Sequence, residues 1–400
     1  MNFHIIEIIN IVHEVDWSLV IPQYFFFTGI SAAAFLISAL TYVFGMEEYR
    51  PIAKLSLIVA LTVLIAAPLN LIADLAQPGR FYSLFYHRHI TSPMSWGVYL
   101  LTSYPLLIAL EGIFAFRAGF AKRARQTTGR QHKLYRFLAL GNPAVTPETN
   151  TRDHRWSLIL GGLGIPAAIA VHGYTGYILG VVRARPLWHT PLMPIIFLVS
   201  AMVSGIAFMI IIAWLMVRDK NGNIRWDMID KLGVMLGWTI ITDLTIRLFW
   251  YSIGFFYSYG SYQDVVTFLF RDHFVETVVI ELGVGLVIPA IIALTPTLRR
   301  IRPLFILSSV ITVAGVWLFR WNTVIGGQEI PKTGAGFYHY TPQFWGGKSI
   351  MEVVSNWAFW LFLFIIFTWF LPWNDDAPTA DELVSEPETT QQAVLSGGIQ

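Results

Sequence analysis

Charged and protonatable side chains stand inside stretches of this sequence that are otherwise apolar, and their types suit the binding and protonation of a small carbonyl compound. Asp74, Glu111, His172, Tyr174, Asp243, Arg247, Glu276 and Glu281 lie within or at the ends of long hydrophobic runs. Even on a lenient insertion scale a charge at the centre of a membrane helix costs about 2.5–3.5 kcal/mol, so each marks a candidate site with a partner to be named. A quinone headgroup needs hydrogen bonds to two carbonyls and groups that exchange protons, and its tail needs apolar walls. His13, Asp16 and Gln23, at the start of the first run, adjoin the aromatic stretch Tyr24–Phe27 and bring both kinds of surface together.

Each of these residues also has a plainer reading. Asp243 and Arg247 are four apart, so on a helix they share a face and neutralise each other, either as a structural ion pair or as a relay or gating pair. A lone intramembrane histidine such as His172 is more often a helix–helix hydrogen-bonder than a ligand. Of ten histidines only His172 lies well inside a hydrophobic run. A bis-histidine haem needs two at matching depth, so no haem is expected. The chain has no cysteine, which leaves no thiolate for an iron–sulfur cluster of its own. No metal centre is expected either.

The elements that must carry these groups follow from composition. Of 400 residues, 55% are hydrophobic and only 13% charged, and the mean hydropathy is +0.57; a soluble domain carries about a quarter charged residues. The apolar material falls into runs of about twenty residues, the length of a membrane-crossing helix. Backbone groups in lipid must be satisfied internally, so the runs are helices. Nine spans are predicted, at 18–44, 52–74, 95–116, 157–180, 191–217, 232–257, 273–294, 303–319 and 351–371. The fold class is therefore all-α, a polytopic transmembrane helix bundle. Residues 1–16 are expected to form an interfacial segment, and residues 374–400 an acidic disordered tail.

The loops after spans 3, 5 and 7 hold 16 of the 27 basic residues, from Arg117 to Arg155, Arg218 to Lys231, and Arg299 to Arg302. Positive loops face the cytoplasm, which puts the N-terminus outside a bacterial-type inner membrane and, with nine spans, the C-terminus inside. Basic stretches next to spans report topology or lipid headgroups, and nucleic acid is not an expected partner. On this topology His13, Gln23, Asp74, Arg80, His172, Tyr174, Glu276 and Glu281 lie toward the outer face, and Glu111 toward the inner one.

Several stretches, in their order and spacing over about the first 220 residues, resemble the NrfD/PsrC family of polysulfide reductase-type membrane subunits. They are Asp74–Phe81 after span 2, Ser92–Gly97 opening span 3, Tyr174–Gly180 in span 4, and Arg185–Pro191 leading to Ser200–Gly205 in span 5. Within the family, the length and the stretch Arg185–Pro194 resemble the DsrP branch of DsrMKJOP complexes. The resemblance implies two four-helix bundles with one or two further C-terminal helices, nine or ten spans in all. It divides the chain into a first bundle with a quinone site at 17–180, a second bundle at 181–321, and an outer loop with an added span at 322–373. It also implies a menaquinone-type quinone near the outer surface, with His13, Gln23, Asp74, His172 and Tyr174 as contacts and Arg80 at the mouth. A ferredoxin-like iron–sulfur subunit is expected to dock outside, joined by further membrane and catalytic subunits, in sulfur-compound metabolism. A different expectation comes from the set Glu111, Asp243, Arg247, Glu276 and Glu281, which would line a proton, ion or solute path.

Overall fold

In the computed structural model residues 15–87, 89–256, 261–330 and 337–374 are described. Most of them are helical, and nine helices among them are long and apolar enough to cross a membrane. These are α1 (Val20–Tyr42), α2 (Arg50–Asp74), α3 (Pro93–Gln126), α4 (Pro147–Gly180), α5 (Met193–Met216), α6 (Trp226–Phe256), α7 (Val275–Leu294), α8 (Arg302–Glu329) and α9 (Ile350–Phe370). The chain is an all-α, multi-pass integral membrane protein.

Helix α1 is the hub. It is apolar all round, which fits a helix with no solvent-facing side, and it packs on α2, α4, α5 and α8. Neighbours bury 89% of its apolar window, against 17% for α3, which therefore lies at the periphery. Helices α1 to α4 pack in a ring, α5 to α8 pack in another, and α9 lies against α2. Small residues bring backbones close where the rings meet: a β-carbon added to Gly205 of α5 would fall 2.4 Å from the Ala33 β-carbon of α1. A polar clasp holds α9. Asn70 Nδ2 donates to Asn356 Oδ1 at 3.0 Å, and Asn356 Nδ2 donates to the Ala66 carbonyl at 3.0 Å.

Three helices exceed their predicted spans by ten residues, α8 among them, which runs to Glu329. Helix α3 runs ten residues past 116 and α4 begins ten before 157, because a helix leaving the hydrocarbon keeps its own hydrogen bonds while its sequence turns polar. Arg117, read from sequence as the first residue of a basic loop, is in fact buried within α3. Its Nε pairs with Asp153 of α4, and its Nη1 donates to the Ala144 carbonyl at 3.2 Å. Several other basic residues at this end are also paired. Arg302 reaches Asp230 at 2.5 Å, Lys231 pairs with Glu48, and Arg123 donates to the Phe370 carbonyl at 2.8 Å.

Helix α7 departs from α-helical winding, with π-type hydrogen bonds over Val275–Val287 before α-helix resumes at Ile288. Winding of this kind is rare and frequently accompanies functional sites. It carries Glu281.

Candidate functional site

A groove of about 600 Å³ opens between the first turns of α3 and the last turns of α4. Ile90, Trp96, Ile169, Gly173, Tyr174, Tyr177 and Pro194 are among its walls. Pro93 starts α3 where its missing N–H is no loss, and Trp96 Nε1 donates to the Ile90 carbonyl at 2.9 Å, which fixes the rim. Tyr174 lies six residues from the end of α4, about 9 Å at 1.5 Å per residue. Its hydroxyl donates to the Met94 carbonyl at 3.4 Å, a long bond with capacity to spare for another partner. Gly97 leaves the room for that ring. The walls are largely apolar and aromatic, with the hydroxyls of Thr91, Tyr174 and Tyr177 as polar groups, the usual make-up of a small-molecule site.

His172 lies two residues earlier on α4, about 200° around the helix, and faces inward. It is 1% exposed. Its Nδ1 is 2.6 Å from the Ala168 carbonyl, and its Nε2 is 2.5 Å from the Thr28 carbonyl and 3.3 Å from Ser31 Oγ. A neutral imidazole has one N–H and satisfies one of the two carbonyls; a protonated ring satisfies both. The Tyr104 ring meets it edge-on at 6.0 Å.

The remaining first-ring candidates stand apart from the groove. Gln23 is fully buried, its Oε1 accepts from Trp317 Nε1 at 2.8 Å, and its Nε2 has no partner. Asp74 accepts from Ser18 Oγ at 2.8 Å and lies 3.3 Å from Lys348 Nζ. Arg80 is exposed on the short turn Pro78–Arg80. His13 falls outside the described residues. Of the six residues expected to surround one ligand, then, Tyr174 lines the groove, while His172, Gln23 and Asp74 occupy three separate polar sites of the same ring.

The second ring contains a fully buried ionic cluster. Arg247 of α6 lies 2.7 Å from Asp243 and donates at 2.5 Å to Glu281 of α7. Asn322 of α8 donates to the other Glu281 oxygen at 2.7 Å. Arg247 Nε meets Asp243 as an ion pair, and neither Asp243 oxygen has a directed hydrogen bond. Arg320 of α8 adds a second guanidinium; its Nη2 donates to the Phe197 carbonyl at 3.0 Å, and its plane lies 4.0 Å from the Phe197 ring. Two arginines thus balance two carboxylates. Glu276 is not part of this cluster; it is half exposed, 3.9 Å from His273. Glu111 of α3 is fully buried in the first ring, and among the described residues neither of its oxygens has a hydrogen-bond partner.

Arg320, Asn322, Trp317 and Lys348 were not among the sequence candidates. A signal for the first two was present: the run 303–319 is 17 residues, short of the roughly 20 that cross a bilayer, so α8 has to continue through Arg320 and Asn322.

Comparison with known proteins agrees with this architecture. The family model described as "Polysulphide reductase, NrfD" matches residues 8–332. The chain is 34% identical over 325 residues to a selenate reductase subunit of Mesobacillus selenatarsenatis, covering 79% of this chain and 75% of that one. It is 25% identical to a tetrathionate reductase subunit of Salmonella typhimurium, over 90% of this chain and 93% of the other. It is 22% identical to the Hdr-like menaquinol oxidoreductase integral membrane subunit of Archaeoglobus fulgidus, over 80% and 73%. These names span different reductase systems, so they support the family and not the DsrP branch within it. With the family model spanning most of its length, the chain belongs to the NrfD/PsrC family of reductase membrane subunits.

Proposed function

We propose that this chain is the quinone-binding membrane subunit of a respiratory oxidoreductase complex in the inner membrane, its N-terminus outside, handling a menaquinone-type quinone. The observation that carries the reading is the groove at Tyr174. Its volume falls in the range of small-molecule sites. Trp96 and Tyr177 offer flat surfaces to a fused-ring headgroup, Tyr174 offers a hydroxyl to a carbonyl, and Ile90 and Ile169 suit a prenyl tail. A quinone bound there exchanges two electrons together with two protons. His172 and Asp74, on the same ring, would serve proton exchange behind the groove, while Gln23 and Arg80 would be secondary contacts. The menaquinol oxidoreductase subunit among the relatives supports the quinone, and the tetrathionate reductase subunit supports a sulfur compound at the far end of the electron path.

Electrons would pass to or from a ferredoxin-like iron–sulfur subunit docked on the Asp74 end, since the chain has no cysteine to hold a cluster. Further membrane and catalytic subunits would complete the complex. Purification in mild detergent tests this. Iron–sulfur and catalytic subunits with near-stoichiometric quinone are expected; a lone chain free of quinone would refute the reading.

A second reading, ion or proton transfer, is favoured by one observation: the buried cluster Asp243, Arg247 and Glu281 on a π-wound helix. Intramembrane ionisable groups of this kind mark proton and ion paths. It is compatible with the first reading if proton movement accompanies quinone chemistry.

A further inference from the structure

Arg320 stands between the histidine of the first ring and the ionic cluster of the second. Its Nη2 lies 3.8 Å from where a β-carbon of Gly29 would be, one residue along α1 from the Thr28 carbonyl that His172 meets. On the other side, Phe319 carries both arginines, with Arg247 at 3.6 Å and Arg320 at 5.3 Å from the ring centre. The two sites also match in depth. His172 is eight residues from the end of α4 and Arg320 nine from the end of α8, about 12 and 14 Å.

The hydrogen bonding of Arg320 is incomplete. Only Nη2 has a partner; Nε and Nη1 are fully buried without one. Across the Phe319 ring, Asp243 pairs with Arg247 at 2.7 Å, and neither of its oxygens has a directed hydrogen bond. A buried charge with open donors beside a carboxylate with open acceptors has two seats: the Phe197 carbonyl it occupies, and Asp243. The groups facing the pair are Arg247, Tyr251, Glu281 and Asn322 in the second ring and His172 in the first. A proton gained by His172 repels Arg320 toward Asp243 and so competes with Arg247 for that carboxylate; loss of the proton lets it return.

We propose that Arg320 couples the two rings, shifting between the Phe197 carbonyl and Asp243 as His172 gains and loses a proton, so that quinone chemistry in the first ring drives proton movement through the Asp243–Arg247–Glu281 cluster. The proposal rests on the quinone reading. Arg320 touches no part of the Tyr174 groove and acts as a positioning residue.

The test uses the whole complex in sealed vesicles, oxidising a short-chain naphthoquinol with ferricyanide. Quinol oxidation itself releases one proton per electron, so any excess is translocation. Wild type is expected to exceed one. Arg320→Gln and Arg320→Lys are expected to fall to one, with electron transfer reduced less than threefold. Asp243→Asn, which removes the alternative seat, is expected to do the same and serves if the Arg320 variants fail to assemble. A wild-type ratio of one, or variants that keep the excess, overturns the proposal. Absence of quinol oxidation in the wild type would instead overturn the quinone reading on which it stands.

Discussion

The hydroxyl of Tyr174 occupies the place that a side chain on Gly97 would take: a β-carbon built at position 97 falls 2.1 Å from Tyr174 Oη. The groove therefore depends on two helices at once, α4 for the ring and α3 for the absence of a side chain. Gly97→Ala is expected to drive the ring out of its seat and weaken a naphthoquinone analogue at least tenfold, about 1.4 kcal/mol. Tyr174→Phe keeps the ring and loses only the hydroxyl, about 0.5–1.5 kcal/mol, and should weaken the analogue by less. Quenching of tryptophan fluorescence during titration measures both, and unchanged affinity in both would remove the groove from consideration.

The pair Arg117–Asp153 predicts a different loss. Both groups are buried, and removing one partner of a buried pair costs about 3–5 kcal/mol because the other charge is stranded. Arg117→Ala and Asp153→Ala should each sharply lower the thermal midpoint in detergent. Arg117→Met combined with Asp153→Leu should recover most of it. If the double variant is as unstable as the singles, the pair is not what holds α3 to α4.

The clasp between Asn70 and Asn356 fixes the ninth helix. Interhelical hydrogen bonds in membranes contribute about 0.6–2 kcal/mol, and Asn356→Leu leaves Asn70 Nδ2 only the Ala67 carbonyl, at 3.2 Å. A drop of several degrees in thermal midpoint is expected, with α9 more open to protease at its ends. A variant indistinguishable from wild type would mean that apolar packing alone seats α9.

Outside the membrane, the turn between α5 and α6 has a pH-dependent lock. Asp219 Oδ1 accepts the backbone N–H groups of Asn221 and Asn223, each at 2.8 Å. The Asn223 N–H is the main cause holding its carboxyl below the ordinary carboxylate range. A value lowered by folding means the bonds stabilise the turn above the unfolded value and are lost as pH falls through the folded one. Hydrogen exchange in a peptide spanning this turn should be slower in wild type than in Asp219→Ala at neutral pH. The difference should vanish in acid; one that persists there would contradict the assignment.

Much of this was legible in the sequence because lipid permits few structures. Runs of about twenty apolar residues have to be helices, and the nine predicted spans match the nine long apolar helices of the described residues. The intramembrane charges were legible by rarity, and the Asp243–Arg247 contact by their spacing. What joins distant elements was not. Nothing in α6 alone announces that Arg247 also meets Glu281, because that contact depends on the π-winding of α7 and on how two helices pack. Arg117 misled for a related reason: a basic residue at the end of an apolar run looks like a loop charge until its buried partner, Asp153, is seen on another helix. His172 and Tyr174 stood out as a pair in the sequence, yet at two residues' spacing a helix turns them to opposite sides.

The central claim is that a quinone binds in the groove between α3 and α4, and photoaffinity labelling tests it most directly. The purified complex is illuminated with an azido-naphthoquinone, and labelled peptides are identified by mass spectrometry, with excess unlabelled quinone as competitor. The account predicts competed labelling within residues 90–97 and 169–177, lost or weakened in Gly97→Ala. Competed labelling confined to other helices, or none at all, would contradict it.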